Sequence, residues 1–282
     1  MQVCDVCFRG CRIEEGQTGA CGARSCIDGR IVASNYGKIT SAALDPIEKK
    51  PLREFFPGAM IFSVGSYGCN LRCPYCQNSD ISWSERAFEF ADEAPLFSPE
   101  EIVSRAENLM DKGNIGIAYT YNEPLVGYEF VRDTARLARE HGLINVLVTN
   151  GTAGDRVLGE IEPYIDAMNI DLKAFSDGFY RDLIKGDLEM VKAFIERAVQ
   201  FCHVELTTLI IPGENDSAEE MRKLARWVSG LENRSGRIVP LHVTRFFPQF
   251  HMTDRAATPV KKVIELAEVA REYLSKVYTG NI

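Results

Sequence analysis

Absent from this 282-residue sequence is any apolar run of the roughly 18 to 20 residues needed to cross a bilayer. Its opening Met1-Gln2-Val3-Cys4-Asp5 has neither the basic flank nor the apolar core of a secretory leader. Positive charge is also short: 32 Lys and Arg stand against 40 Asp and Glu, a net of −8, which excludes a nucleic-acid footprint spread over the surface. Bias is missing too. With 45% hydrophobic and 26% charged residues, the chain is neither disordered nor fibrous. These absences lead us to expect a cytoplasmic protein with no membrane and no nucleic-acid partner.

What is there is cysteine. A chain kept in a reducing compartment has little use for 9 Cys as disulfide staples, so their spacing decides their purpose. Cys4, Cys7, Cys11, Cys21 and Cys26 fall in the first 26 residues, Cys69, Cys73 and Cys76 lie together, and Cys202 stands alone. Clustering of this kind marks metal sites. Cys202, at the end of an apolar helix, reads as a core thiol, and Cys26 as a spare or alternative ligand.

After Lys50, short β-branched runs alternate with segments of helical periodicity, the pattern of parallel strands joined by crossover helices. The expected strands are Met60–Val64, Ile115–Thr120, Ile144–Thr149, Ala167–Asp171, Val204–Ile211 and Leu241–Phe246. One expected helix starts at Ser98-Pro99 with Glu101 completing a capping box, buries Ile102, Ala106, Leu109 and Met110, and ends at Gly113. Another follows Thr258-Pro259 with Val260, Val263, Ile264, Ala267 and Leu274 on its buried stripe, and a third near Ser217 buries Met221, Leu224 and Val228. Six such units in about 230 residues fit an α/β fold, a partial (β/α)6 barrel, since a full eight-unit barrel needs about 250. An open doubly wound sheet is the alternative. We expect residues 1–50 to be a Cys-rich metal-binding segment and linker, with Lys49-Lys50 a solvated pair, and residues 51–282 to be the barrel.

Barrel chemistry sits on the loops after the strands' C-terminal ends. The first such loop is Gly68-Cys69-Asn70-Leu71-Arg72-Cys73-Pro74-Tyr75-Cys76, with Cys-x3-Cys-x2-Cys spacing. Three thiolates can hold three irons of a 4Fe-4S cluster and leave the fourth open to the amino and carboxylate groups of S-adenosylmethionine (SAM). A closed zinc or iron–sulfur site with a fourth ligand from elsewhere is the competing arrangement. With Tyr75 in the aromatic slot, the motif resembles that of the radical SAM superfamily.

The resemblance implies further roles. The Thr120-Tyr121-Asn122-Glu123-Pro124 segment stands where superfamily members meet the amino group of SAM, making Asn122 and Glu123 candidates; the competing reading of Glu123 is a surface carboxylate before a helix. The segments ending at Asn150-Gly151 and Asp171-Leu172-Lys173 are similar to those of glycyl-radical-enzyme activases, where they hold SAM or a nearby cation. An exposed ion pair is the other reading of Asp171 and Lys173. Across nearly the whole chain, strings including DPIEKKPL, YTYNEP, VTNG, NIDLK and IIPGEND resemble the radical SAM member of the AmmeMemoRadiSam system, a family related to pyruvate formate-lyase activating enzymes. That family often reads Arg-Phe-His-Pro at Arg245-Phe246-Phe247-Pro248, which leaves His242 as the histidine of that strand and a candidate for the cavity. The implied activity is reductive cleavage of SAM to a 5′-deoxyadenosyl radical, with a flavodoxin- or ferredoxin-type donor supplying the electron. A glycine on a protein substrate, a small molecule or a peptide could then lose hydrogen; a non-enzymatic iron–sulfur carrier or interaction module is the remaining alternative. Cys4-x2-Cys7-x3-Cys11-x9-Cys21 supplies four further thiolates, suited to zinc or an auxiliary iron–sulfur cluster, and spacing does not separate the two.

Overall fold

The computed structural model describes residues 1–282, the side chains of residues 90 and 92 excepted. Eight strands form the main sheet in sequential order: β1 (Ser41–Pro46), β2 (Met60–Gly65), β3 (Asn114–Tyr119), β4 (Ile144–Thr149), β5 (Ala167–Asp171), β6 (His203–Ile210), β7 (Leu241–Arg245) and β8 (Val277–Gly280). The pair β1–β2 is antiparallel, with Ser41 opposite Gly65; every later pair is parallel. Crossovers are carried by α1 (Pro99–Glu107), α2 (Tyr128–Glu140), α3 (Asp155–Ile161), α4 (Leu188–Phe201), α5 (Ala218–Ser235) and α6 (Val260–Arg271). Because β1 and β8 are edges and do not pair, the sheet is an open, partial barrel.

Local signals set these elements. Ser98 and Glu101 form the reciprocal capping box, and Ser217 caps α5 at the Glu220 N–H. Along the strands, alternate side chains enter different environments. Ile117, Leu147, Met168 and Leu206 join Val131, Ala135, Ile195 and Leu224 in the helix-side core. Ala118, Val146 and Ala167 lie on the other side with Ile47 and Leu52.

That second cluster explains how an open barrel acquires a floor. Residues 47–59, between β1 and β2, form a strap across the concave side. Ile47 and Leu52 are fully buried there, worth about 1.5–3 kcal/mol each. The Pro51 carbonyl accepts from Asn169 Nδ2 at 2.8 Å, the Glu54 N–H donates to Glu205 Oε1 at 2.8 Å, and Lys276 Nζ pairs with Glu54 at 3.2 Å. The strap thereby ties the β1 edge to β5, β6 and the approach to β8.

Several expectations change. Strand β1 lies inside the stretch read as linker: its Asp45 and Pro46 carry no β-branched signal, but an edge strand tolerates both. Lys50, read as solvated, is buried 2.9 Å from Asp45 and 4.8 Å from the Tyr121 ring centre. Met110 is 56% exposed because α1 stops at Glu107 and a tighter 3-10 turn follows. Val260 and Ile264 are exposed, whereas Val263, Ala267 and Leu274 are buried. The first 40 residues contain two antiparallel hairpins, Gln2–Val3 with Arg12–Ile13 and Arg24–Ile27 with Arg30–Ala33. Cys202 is a buried thiol at the end of α4.

Candidate functional site

The loop after β2 is fixed from behind by the N-terminal segment. Gly68 adopts φ +96°, and a Cβ there would lie 2.5 Å from the Ala23 Cβ. Cys69 N–H donates to the Cys21 carbonyl at 3.1 Å. Arg72 donates to the carbonyls of Cys69 and Leu71, both at 2.7 Å, and its guanidinium lies 5.0 Å from the Trp83 ring centre.

Within this frame Cys69, Cys73 and Cys76 line a cavity of about 630 Å³, together with Tyr75, Asn122, Glu123, Asn150, Asp171, Lys173 and His242. Burial pushes the Cys69 thiol well above its ordinary range, reinforced by the nearby Glu123 carboxylate, and pushes Cys73 to about 11. Thiols so placed give up their protons to a metal rather than to water. No fourth thiol borders the cavity among the described residues.

The other candidates divide by what their side chains already do. Glu123 is buried, not on the surface: Oε1 accepts from Thr149 Oγ1 at 2.7 Å and Leu125 N at 3.1 Å, and Oε2 from Asn150 N at 2.7 Å. Burial moves its carboxyl up to about 7 against the pull of those three donors. Asn122 is spent on backbone, accepting from Ser66 N and donating to Tyr67 O, Gly68 O and Glu123 O. Asn150 Nδ2 reaches Asn70 Oδ1 at 3.0 Å and stands 3.9 Å from Cys69 Sγ. Asp171 and Lys173 pair at 2.8 Å, with the lysine side chain mostly covered. The Tyr75 carbonyl accepts from Gln249 Nε2 at 2.7 Å, and its ring packs edge-on against Phe246. His242 Nε2 lies 2.6 Å from Glu205 Oε2.

Two residues that carry this network were not singled out from sequence. Asn70, fully buried, joins the cysteine loop to the loop after β4 through Asn150 and Thr152, while its carbonyl accepts from Arg9 Nε at 2.6 Å. Glu205 is wholly buried and is shared by His242, by His203 at 3.0 Å and by the Glu54 N–H. A charged residue alternating with His203 and Thr207 along one strand, at positions 203, 205 and 207, was the available signal for a polar inner face.

Although burial opposes ionisation, the two histidines and the Arg53 and Glu54 backbone N–H groups hold Glu205 down from 4.5 to about 2. Such a drop stabilises the fold by about 3 kcal/mol, present above about pH 4.5 and lost as pH falls toward 2. Glu205→Gln is expected to lower unfolding free energy by that amount at pH 7 and by about half of it at pH 3. Denaturant titrations at the two pH values check it; an equal loss at both would contradict stabilisation of the Glu205 carboxylate by these hydrogen bonds.

The Radical SAM superfamily pattern matches residues 63–228, more than half of the chain. The chain belongs to the radical SAM superfamily. An uncharacterized protein of Methanocaldococcus jannaschii is 41% identical over 287 residues, covering 99% of this chain and 81% of that protein. Pyruvate formate-lyase 1-activating enzyme of Escherichia coli is 26% identical over 182 residues, 62% of this chain and 71% of that one. Streptococcus suis SuiB bound to S-adenosylmethionine shares the fold at a TM-score of 0.56, 11% identity, 77% of this chain and 45% of that one. Membership makes this a radical SAM enzyme and implies a 4Fe-4S cluster and SAM. The open parallel sheet is the superfamily's partial barrel, and no helix among the described residues is long and apolar enough to cross a membrane.

Proposed function

We propose that Cys69, Cys73 and Cys76 would hold a 4Fe-4S cluster at the cavity they line, and that the same cavity would take SAM. The observation that carries this reading is three thiols on one strand-end loop, Cys73 buried and Cys69 and Cys76 half-buried, sharing a cavity with Asn150, Asp171 and Lys173 and, among the described residues, with no fourth thiol. When bound, the pair supplies reductive cleavage of SAM to a 5′-deoxyadenosyl radical that takes a hydrogen atom from substrate. The chain's residues do the positioning. Glu123 clips the loop after β4 to the loop after β3, Asn122 fixes the carbonyls beside Gly68, and Asn150 directs an N–H toward the Cys69 sulfur. The Lys173–Asp171 pair sets opposite charges against the cysteine side of the cavity, suited to an amino-acid moiety. A low-potential donor of flavodoxin or ferredoxin type delivers the electron, in the cytoplasm.

The test is spectroscopic: the anaerobically reconstituted, reduced protein should show an iron–sulfur EPR signal that changes on addition of SAM. A signal indifferent to SAM would sink the proposal. Likeness to pyruvate formate-lyase activating enzymes supports hydrogen abstraction from a glycine on a protein substrate. A small-molecule or peptide substrate is the second reading, favoured by the charged floor of the cavity.

We also propose a second metal at Cys4, Cys7, Cys11 and Cys21. The four thiols border one small enclosed space beside Ile13 and Gly19, although no three converge on a single-ion position among the described residues. Burial pushes Cys7 up and Cys21 to about 11, so metal binding here would release protons and strengthen as pH rises. Metal analysis is expected to give about four iron with one zinc, or about eight iron, per chain. Four iron and no zinc would contradict the second site.

A further inference from the structure

Four cationic side chains line the cavity besides its histidine, and three of them are already matched. Lys49 and Lys50 share Asp45, and Lys173 holds Asp171. Arg53, on the strap, has no carboxylate partner among the described residues; its guanidinium lies 5.3 Å from the Tyr278 ring centre. The ring of His242 lies 5.5 Å from the same tyrosine. Tyr278 is held by its hydroxyl, which donates to Glu54, so Arg53 and His242 line the same cavity as neighbours of one fixed aromatic ring.

His242 is more constrained still. It is only 7% exposed, its Nε2 is committed to Glu205, and its Nδ1 has no partner among the described residues while the side chain borders the cavity. A ring whose Nε2–H rests on a carboxylate can take a proton at Nδ1 and donate it to an anion. The groups around it are Glu205 and His203 on β6, Arg53 and Glu54 on the strap, and Tyr278 on β8 with Lys276 just before it. Of these, Glu54 is occupied by Lys276 and Tyr278, and Glu205 by the two histidines. The wall therefore presents an arginine fork with no carboxylate partner and an imidazole Nδ1 that no protein group engages among the described residues.

We propose that Arg53 and His242 form an oxyanion-binding subsite, and that the substrate is anchored there by a carboxylate or phosphate. This rests on the cavity being the reaction site. It also accounts for the strap: folding residues 47–59 back across the sheet is what places an arginine on the same wall as His242.

Phosphate and succinate serve as probes, each titrated into the cluster-loaded, oxidised protein while histidine ring resonances are followed by NMR. With only 4 His, His242 is assigned by its loss in His242→Asn. We expect one probe to shift the His242 resonances saturably toward the protonated form, which identifies phosphate or carboxylate as the anchor. Binding should weaken by about tenfold in Arg53→Gln, an exposed position whose replacement leaves the core intact, and recover in part in Arg53→Lys. The proposal is overturned if neither probe moves His242, if Arg53→Gln binds both unchanged, or if saturating SAM displaces the probe, since the wall would then belong to the cofactor. Probe binding needs no turnover: a protein that binds phosphate yet never cleaves SAM refutes the radical reading alone, and one that cleaves SAM yet binds neither probe refutes the subsite alone.

Discussion

Cys73→Ala is expected to leave a folded chain with less than the wild-type complement of iron and SAM cleavage reduced at least ~10³-fold, because ligands that act as one unit fail together. The side chain is buried in the cavity and its backbone carbonyl accepts from Cys76 N–H at 3.2 Å, a bond that alanine keeps. The variant therefore removes a sulfur without unmaking the loop. Its burial also means that loss of the thiol leaves a small cavity and no unpaired charge, costing stability on the order of 1 kcal/mol. Iron content, melting temperature and 5′-deoxyadenosine formation measured side by side separate the two effects. Wild-type SAM cleavage in Cys73→Ala would show that the thiol is not a ligand.

Gly68→Ala should be nearly as damaging for a different reason. At φ +96° an alanine is strained wherever it sits, and here its methyl would also stand 2.5 Å from the Ala23 Cβ and 3.2 Å from the Cys21 carbonyl. Either the Cys69 N–H to Cys21 bond breaks or the N-terminal segment moves away. We expect a loss of about 2–4 kcal/mol together with poor iron incorporation. Gly58→Ala isolates the strain: φ is +84° there, but nothing lies within 4 Å of the added carbon. That control should cost about 1 kcal/mol and leave iron loading unchanged. If the two variants lose equal stability and load equal iron, the packing of residues 20–24 behind the cysteine loop has no role in shaping it.

The contrast between these two glycines also shows where sequence reading stops. The cysteine spacing, the six central strands and the Ser98 capping box were legible because each is a local pattern: three thiols in eight residues, β-branched runs, a serine three positions before a glutamate. The strap, β1 and β8 were not, since their structure comes from partners far away in sequence: Asn169 on Pro51, Glu205 on Glu54, Glu54 on Tyr278. The same holds for the site. Cys69, Asn150, Asp171 and Lys173 announce themselves at strand ends, whereas Asn70 is a plain polar residue until the fold sets it against Asn150 and Thr152. Lys50 misled for another reason: next to Lys49 it reads as solvent-facing charge, and only the 3-10 turn at Ile47–Lys49 brings it back onto Asp45.

The roles of Glu123 and Asn122 shift in the same way. Both stand where the superfamily resemblance places contacts to SAM, yet the hydrogen bonds they make inside the protein are to the loops on either side. Their work is to hold the cavity's rim in register. Oε1 already accepts two donors, but Oε2 accepts one and keeps lone-pair capacity for another, so a contact between Oε2 and an amino group would add to that work without displacing it.

The account stands or falls on SAM cleavage. Under anaerobic conditions the reconstituted protein, given SAM and dithionite, is predicted to release 5′-deoxyadenosine and methionine in equal amounts, only with both reductant and iron present; reduced, iron-loaded protein that leaves SAM intact would contradict it.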